Sequence, residues 1–233
     1  VCVVSITRRW RMARRRLSLL YSRGFLRVWK ANVRNPCLWG DLNRLMTVPV
    51  KGETLRKTQL ALCLMFQYGG MSFVDFAHLN RDNIKNGILD YNRQKTGTSM
   101  RLEVLDTAEA MYKELVGERA GNSGYLFPFL SGTKNGHEEY LEYNAALSRF
   151  NRNLKTLKEV AGIAPDVTSY TIRHSFAMAL KEQNVPIEMI SELLGHKSIK
   201  TTQIYLRSFS LEKMAVVNKS CFENVYNYIP EVG

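Results

Sequence analysis

Apolar positions along this chain fall into blocks whose spacing changes from helical to strand-like and back. Within residues 5–31, Trp10, Ala13, Leu17, Leu20 and Tyr21 recur at three- and four-residue steps with arginines between them. That spacing predicts a helix or helix pair, broken near Gly24 and ended by Asn35-Pro36, since the residue before a proline is biased away from helix. A helix is predicted from Asp41 to about Met46, and Gly52-Glu53 opens the next element. The run LRKTQLALCLMFQ is mostly apolar after Thr58 and reads as a buried helix closed by Gly69-Gly70. MSFVDFAHLNRDNIKNG then predicts a short helix and a turn.

The period changes at residue 88. ILDYNRQ (88–94) and SMRLEVL (99–105) read as two strands joined through KTGT, a β-hairpin. A capped helix is expected from Asp106. YLFPFL is a brief apolar element, and SGTKNGHEE reads as a polar loop. A long helix is predicted from about Tyr140 to Ala161, and Pro165 to Thr168 leads into SYTIRHSFAMALKEQNVPIEMISELLGHKSIKTTQIYLR. A terminal helix and a loose tail follow. The fold class expected is mainly α with one small antiparallel β-sheet, and there are no internal repeats.

Composition and charge add a partner to this picture. The chain has 233 residues, 45% of them apolar, enough for a real core. It has no run of 18 apolar residues, so no transmembrane helix and no membrane partner are expected. The opening VCVVSITRRWRMARRR puts arginines after a short apolar patch, the reverse of a secretory signal. Cys2, Cys37, Cys63 and Cys221 are widely spaced with no CxxC pair, which predicts reduced thiols, a cytoplasmic location and no structural zinc. The net charge is +12, and residues 1–36 hold ten Lys/Arg with no Asp or Glu. A basic arm beside a near-neutral body is the footprint of a polyanion binder, with Arg8, Arg11 and Arg15 as candidate phosphate contacts. A solvated basic helix face is the plainer reading. A membrane-surface helix fits less well, because the arginines circle the helix.

Candidate chemistry concentrates between Ser169 and Arg207. Thr168 or Ser169 can cap a helix that carries Arg173 in its first turns, where the helix dipole favours a bound anion. The next helix starts at Pro186 and stops at Gly195, so His196 sits at a helix C-terminus as a fixed donor. Ser198 can cap a short helix that carries Tyr205. Taken singly, each residue has an ordinary reading: a surface ion pair, a structural hydrogen-bonder, a core phenol. Together they place a cation, a hydrogen-bond donor and a hydroxyl nucleophile in one helical unit, a set suited to attack on a phosphodiester.

Arg173 followed by His174, then LLGHKSIKTTQIY with a tyrosine nine residues after the histidine, is similar to the tyrosine recombinase (phage integrase) family. The resemblance runs from about Asp41 to Val225. It implies a catalytic domain over 37–225 that closes as a clamp on duplex DNA, preceded in 1–36 by the end of a basic helical core-binding domain and followed by a tail, 226–233. By this resemblance Tyr205 is the nucleophile of site-specific DNA recombination or integration, forming a transient 3′-phosphotyrosyl link without cofactor or essential metal. Arg173 and His196 would stabilise the charged phosphorus centre, and Lys95 would protonate the leaving 5′-oxygen. The implied partner is double-stranded DNA, bound by a homotetramer on paired sites, with room for accessory DNA-bending proteins. A catalytically impaired DNA-binding regulator of the same fold is the alternative.

Two positions depart from the family pattern. Its first arginine sits in Gly-x-Arg, whereas this chain has Gly70-Met71-Ser72, and serine cannot replace that charge. Arg93 is the candidate substitute, expected to share a strand face with Lys95, and Arg81 is the runner-up. Tyr170 stands where the family has the histidine of His-x-x-Arg; a phenol can hydrogen-bond a phosphate but is a poor base near neutrality. Some mobile-element integrases resemble this chain at both places. Asp75 matches the family's acidic position, expected to orient an arginine or lysine.

Overall fold

In a computed structural model, residues 39–117, 124–164, 167–206 and 211–226 are described. Side chains are described at these positions except 39, 40, 204, 205, 211–213, 222 and 224–226. The expected helix over 5–31, the domain proposed for 1–36 with Arg8, Arg11 and Arg15, Cys2, Cys37 and the tail beyond Tyr226 lie outside the described residues.

Helix α1 (Trp39–Thr47) leads to α2 (Glu53–Gln67), the helix on which the fold is built. Its first turn is polar, with Lys57 paired to Glu53 at 2.6 Å, and every residue from Thr58 to Phe66 is buried. A helix apolar all round must be covered all round. Its neighbours are α1, α4 (Asp106–Val116), α5 (Gly136–Ala161) and α6 (Ser169–Glu182). Gln59, buried at its centre, donates to the carbonyls of Leu45 and Val48, so the one amide in this wall is satisfied by the end of α1. The chain leaves α2 through Gly69 and Gly70, both with positive φ (72° and 65°).

Next comes α3 (Phe73–Ala77), which buries Phe73 and Phe76. Phe73 stacks on Phe150 of α5 at 4.7 Å and Phe76 on Phe127 at 4.0 Å, which pins this five-residue helix and Asp75 within it. A 3-10 turn (Arg81–Asn83) precedes a three-stranded antiparallel sheet in the order β1 (Ile84–Lys85), β2 (Ile88–Asn92), β3 (Ser99–Glu103). The predicted hairpin is present, with Leu89 opposite Leu102 and Asn92 opposite Ser99. β1 is an addition to it: two residues paired to β2 through Asn86-Gly87, too short to announce themselves by alternation.

Helix α4 starts where expected, whereas β2 ends at Asn92 and β3 at Glu103, each two residues early, and α5 starts ahead of Tyr140. Asp106 is the first residue of α4, and Leu105 holds the cap position. The segment 125–130 forms no strand; its Leu126, Phe127 and Leu130 are buried, and Tyr125 makes a single bridge to Asn80. Helix α5 begins at Gly136, four residues before Tyr140, because the polar GHEE stretch supplies the acids that favour a first turn. Its buried face is the stripe Ala146, Phe150, Leu154 and Leu157.

Helices α7 (Ile187–Leu193) and α8 (Ile199–Tyr205) pack with α6 as a small satellite, and α9 (Leu211–Tyr226) follows. Ala177, Ile190 and Leu194 form the satellite core, with Phe176, Leu180, Val185 and Leu206 against it. Leu206 directly follows Tyr205, so this contact fixes where α8 ends. Among the described residues no helix is long and apolar enough to cross a membrane.

Candidate active site

Three consecutive residues after α7 organise the site. Leu194 and Gly195 offer backbone carbonyls, and His196 offers its ring. Arg173, on the second turn of α6, donates one guanidinium N–H to the carbonyl of Leu194 and another to that of Gly70 at 3.1 Å. Arg93, just past β2, donates to the carbonyl of Gly195 at 2.9 Å. Neighbouring carbonyls therefore hold two guanidinium groups, although the arginines lie 80 residues apart in sequence. Both are buried, Arg173 3% and Arg93 7% exposed, a costly place for a cation unless its hydrogen bonds are supplied.

Local structure explains why these carbonyls are available. The last carbonyls of a helix have no partner within it. Gly195 has φ 59°, and a Cβ there would run into Met100 Sδ and lie 2.7 Å from Arg93 Cδ, so glycine suits both the turn and the close approach. Gly70 is similar: a Cβ would come within 2.7 Å of the Phe176 Cβ, where α2 ends against α6. The entry to α6 is fixed by the Thr168 N–H donating to Thr171 Oγ1 at 3.0 Å and the Ser169 N–H donating to Asn151 Oδ1 at 2.8 Å.

Asp75 is buried beside Arg93. Its Oδ2 accepts from Ser72 Oγ at 2.5 Å and lies 3.6 Å from Arg93 Nε, and its Oδ1 accepts the Gln94 N–H at 2.7 Å. The serine at the family's arginine position thus contacts the same carboxylate that faces Arg93. Arg93 Nε has no hydrogen-bond partner among the described residues. Tyr91, also buried, has its phenol pushed up by burial and by the Asp75 charge, with Arg173 and Arg93 pulling the other way.

His196 is half-buried. Its backbone N–H donates to Ser191 O at 2.9 Å, and its Nδ1 lies 2.9 Å from Thr202 Oγ1. Burial, and then the charges of Arg173 and Arg93, push its pKa down to about 4. The ring is neutral at pH 7 and sits in a positive field, which an anion would relieve.

The remaining expected residues are less tightly gathered. Lys95 is exposed in the four-residue turn 94–97, closed by the Gly97 N–H donating to Arg93 O at 2.8 Å. The strand ends at Asn92, so alternation does not carry Lys95 to the Arg93 face; Arg93 turns inward while Lys95 faces solvent. Tyr170 is 60% exposed at the start of α6. Arg81 is exposed on the 3-10 turn. Ser198 caps α8 by accepting from the Lys200 N–H at 3.3 Å, and Tyr205 is that helix's last residue. The side chain of Tyr205 lies outside the described residues. Sequence reasoning did not single out Thr202, Ser72 as an Asp75 partner, or the carbonyls of Gly70, Leu194 and Gly195. The Thr-Thr pair before Gln203 is the one signal that pointed towards Thr202.

Comparison with known proteins places this geometry. The sequence profile of the Phage integrase family matches residues 40–212. Tyrosine recombinase XerA of Pyrococcus furiosus is 30% identical over 202 residues, covering 83% of this chain and 68% of that protein. Tyrosine recombinase XerD of Lacticaseibacillus casei is 44% identical over 69 residues, 30% of this chain and 24% of its own length. The crystal structure of the XerH site-specific recombinase bound to palindromic difH substrate, a post-cleavage complex, superposes with a TM-score of 0.56 at 19% identity, over 80% of this chain and 51% of that one. That likeness shows a tyrosine recombinase catalytic-domain fold. The chain spans about a quarter of the XerD protein and half of the XerH chain.

Proposed function

Since this chain belongs to the phage integrase family, we propose that it is a site-specific tyrosine recombinase that breaks and rejoins double-stranded DNA. The observation that carries this reading is the pair of buried guanidinium groups on adjacent carbonyls beside a neutral imidazole. Such a site stabilises charge growing on one phosphate, and it needs no reorganisation to do so.

In this mechanism the Tyr205 oxygen attacks the phosphorus. A P–O bond to tyrosine forms, the P–O5′ bond breaks, and the 3′ end stays attached to the protein. Only about one tyrosine in a thousand is ionised at pH 7, so loss of the phenol proton must be assisted. Arg93 and Arg173 present forked N–H donors to the non-bridging oxygens. His196 adds a third donor, and Tyr170, at the start of α6, adds a phenol hydrogen bond to the phosphate. Lys95, on its exposed turn, delivers a proton to the departing 5′-oxygen. Asp75 holds Arg93 and so supports the arginine that takes over from the one missing at Ser72. Reversal of the same steps, with a 5′-hydroxyl from another duplex, completes strand exchange with no cofactor.

The basic arm, with Arg8, Arg11 and Arg15, tracks the DNA backbone in this reading, and the reaction takes place in the cytoplasm. Helix α9 leaves Met214, Val216 and Val217 exposed, which supports docking on a neighbouring copy within a tetramer on paired sites. DNA-bending accessory proteins fit the same scheme.

The test is covalent capture. A duplex selected from a random pool for binding, then nicked near its centre, traps the phosphotyrosyl adduct on a denaturing gel. Wild type is expected to form it, and Tyr205→Phe to bind DNA with unchanged affinity and form none. DNA binding with no adduct from wild type would refute recombination.

A further inference from the structure

The two nitrogens of His196 need not be equivalent, and the structure gives a reason why they are not. Nδ1 faces the hydroxyl of Thr202 at 2.9 Å, and Thr202 is 0% exposed. A neutral imidazole carries one N–H and one lone pair, so a partner at either nitrogen selects the tautomer.

The direction of the bond follows from what the hydroxyl can do elsewhere. No solvent reaches Thr202, and among the described residues Nδ1 is its one hydrogen-bond partner. If Nδ1 carried the proton, the threonine would accept, and its own hydrogen would be buried with no acceptor. Donation to Nδ1 avoids that penalty. We propose that Thr202 is a positioning residue: its hydroxyl donates to His196 Nδ1 and so places the ring's proton on Nε2, from which it would be donated to a phosphate oxygen. The phosphate as target rests on the recombinase reading, whereas the tautomer belongs to the free protein.

The placement has a second effect. Thr202 lies on α8, three residues before Tyr205. The bond that sets the ring's proton also ties the ring to the helix that carries the nucleophile.

The experiment is nitrogen-15 NMR of histidine-labelled free protein, in which long-range couplings to the ring protons report which nitrogen is protonated, paired with single-turnover cleavage of the nicked duplex. Wild type is expected to hold its proton on Nε2. Thr202→Val keeps the side-chain shape, loses the hydroxyl, and should give mixed tautomers with cleavage slowed about ten- to a hundredfold, the range for losing a partner that orients a histidine. Thr202→Ser should restore both readouts, and DNA affinity should be the same for all three. A proton on Nδ1 in wild type, or wild-type cleavage by Thr202→Val, overturns the proposal. Should Thr202→Val fail to fold, the wild-type tautomer decides. Absence of cleavage from wild type would count against recombination and leave the tautomer measurement to judge Thr202.

Discussion

The guanidinium of Arg93 donates to the carbonyl of Gly195 at 2.9 Å, joining a hairpin to the end of a helix 102 residues later. That bond puts a buried cation one residue from His196, at the side of the site where Ser72 brings no charge.

Arg93→Ala should therefore slow cleavage by roughly 10²–10³, the usual cost of removing a fixed donor to a developing oxyanion. Arg81→Ala, on the exposed turn, should leave cleavage within a few-fold of wild type. Single-turnover rates on the nicked duplex measure both, and the opposite order would remove Arg93 from the site.

Gly195→Ala should destabilise the fold by about 1–3 kcal/mol from backbone strain alone, with a further loss from the clash at Met100 and Arg93. Gly162, with φ 63° in the left-handed region and nothing within 4 Å of a Cβ there, is the control that carries a similar strain without the clash. Urea unfolding of the two variants separates the terms. Equal losses would mean that Met100 and Arg93 move aside freely.

His196 gives a pH dependence with a definite sign. Its folded pKa is lowered from 6.5 to about 4, so between these values the unfolded chain binds more protons. The contribution to stability is complete above pH 6.5 and is lost as pH falls towards 4. His196→Gln should flatten this limb of the stability profile. A bound phosphodiester offsets the two guanidinium charges, so DNA should raise the ring's pKa, which an NMR titration with and without duplex will show.

Charge neutralisation of Arg8, Arg11 and Arg15 to Gln should make the slope of log affinity against log salt shallower by about 0.9 for each phosphate the arm no longer neutralises. Binding isotherms across a salt series test it. An unchanged slope would take the arm off the DNA.

Much of this architecture is legible in the sequence because local rules decide it. The hairpin follows from alternation around Gly97, and α6 to α8 follow from Thr168, Pro186, Gly195 and Ser198, each a capping or breaking residue. The failures also have local causes. GHEE reads as a loop by polarity, yet its acids suit a helix start. Arg93 and Lys95 share a face on paper, but the strand ends between Asn92 and the turn. What no local rule reveals is the pairing of side chains with remote carbonyls. Arg173 to Gly70 and Arg93 to Gly195 each span about a hundred residues, and backbone oxygens leave no residue-type signature.

Those carbonyl bonds also bear on when the protein can act. Gly70, Arg93, Arg173 and Gly195 come from four separate stretches, and none of them completes the cation pair without the others. On the recombinase reading, a nascent or partly unfolded chain would bind DNA through its arginine-rich arm yet have no assembled centre with which to cut. Competence to break a strand would then arrive only when the last of these distant segments has docked.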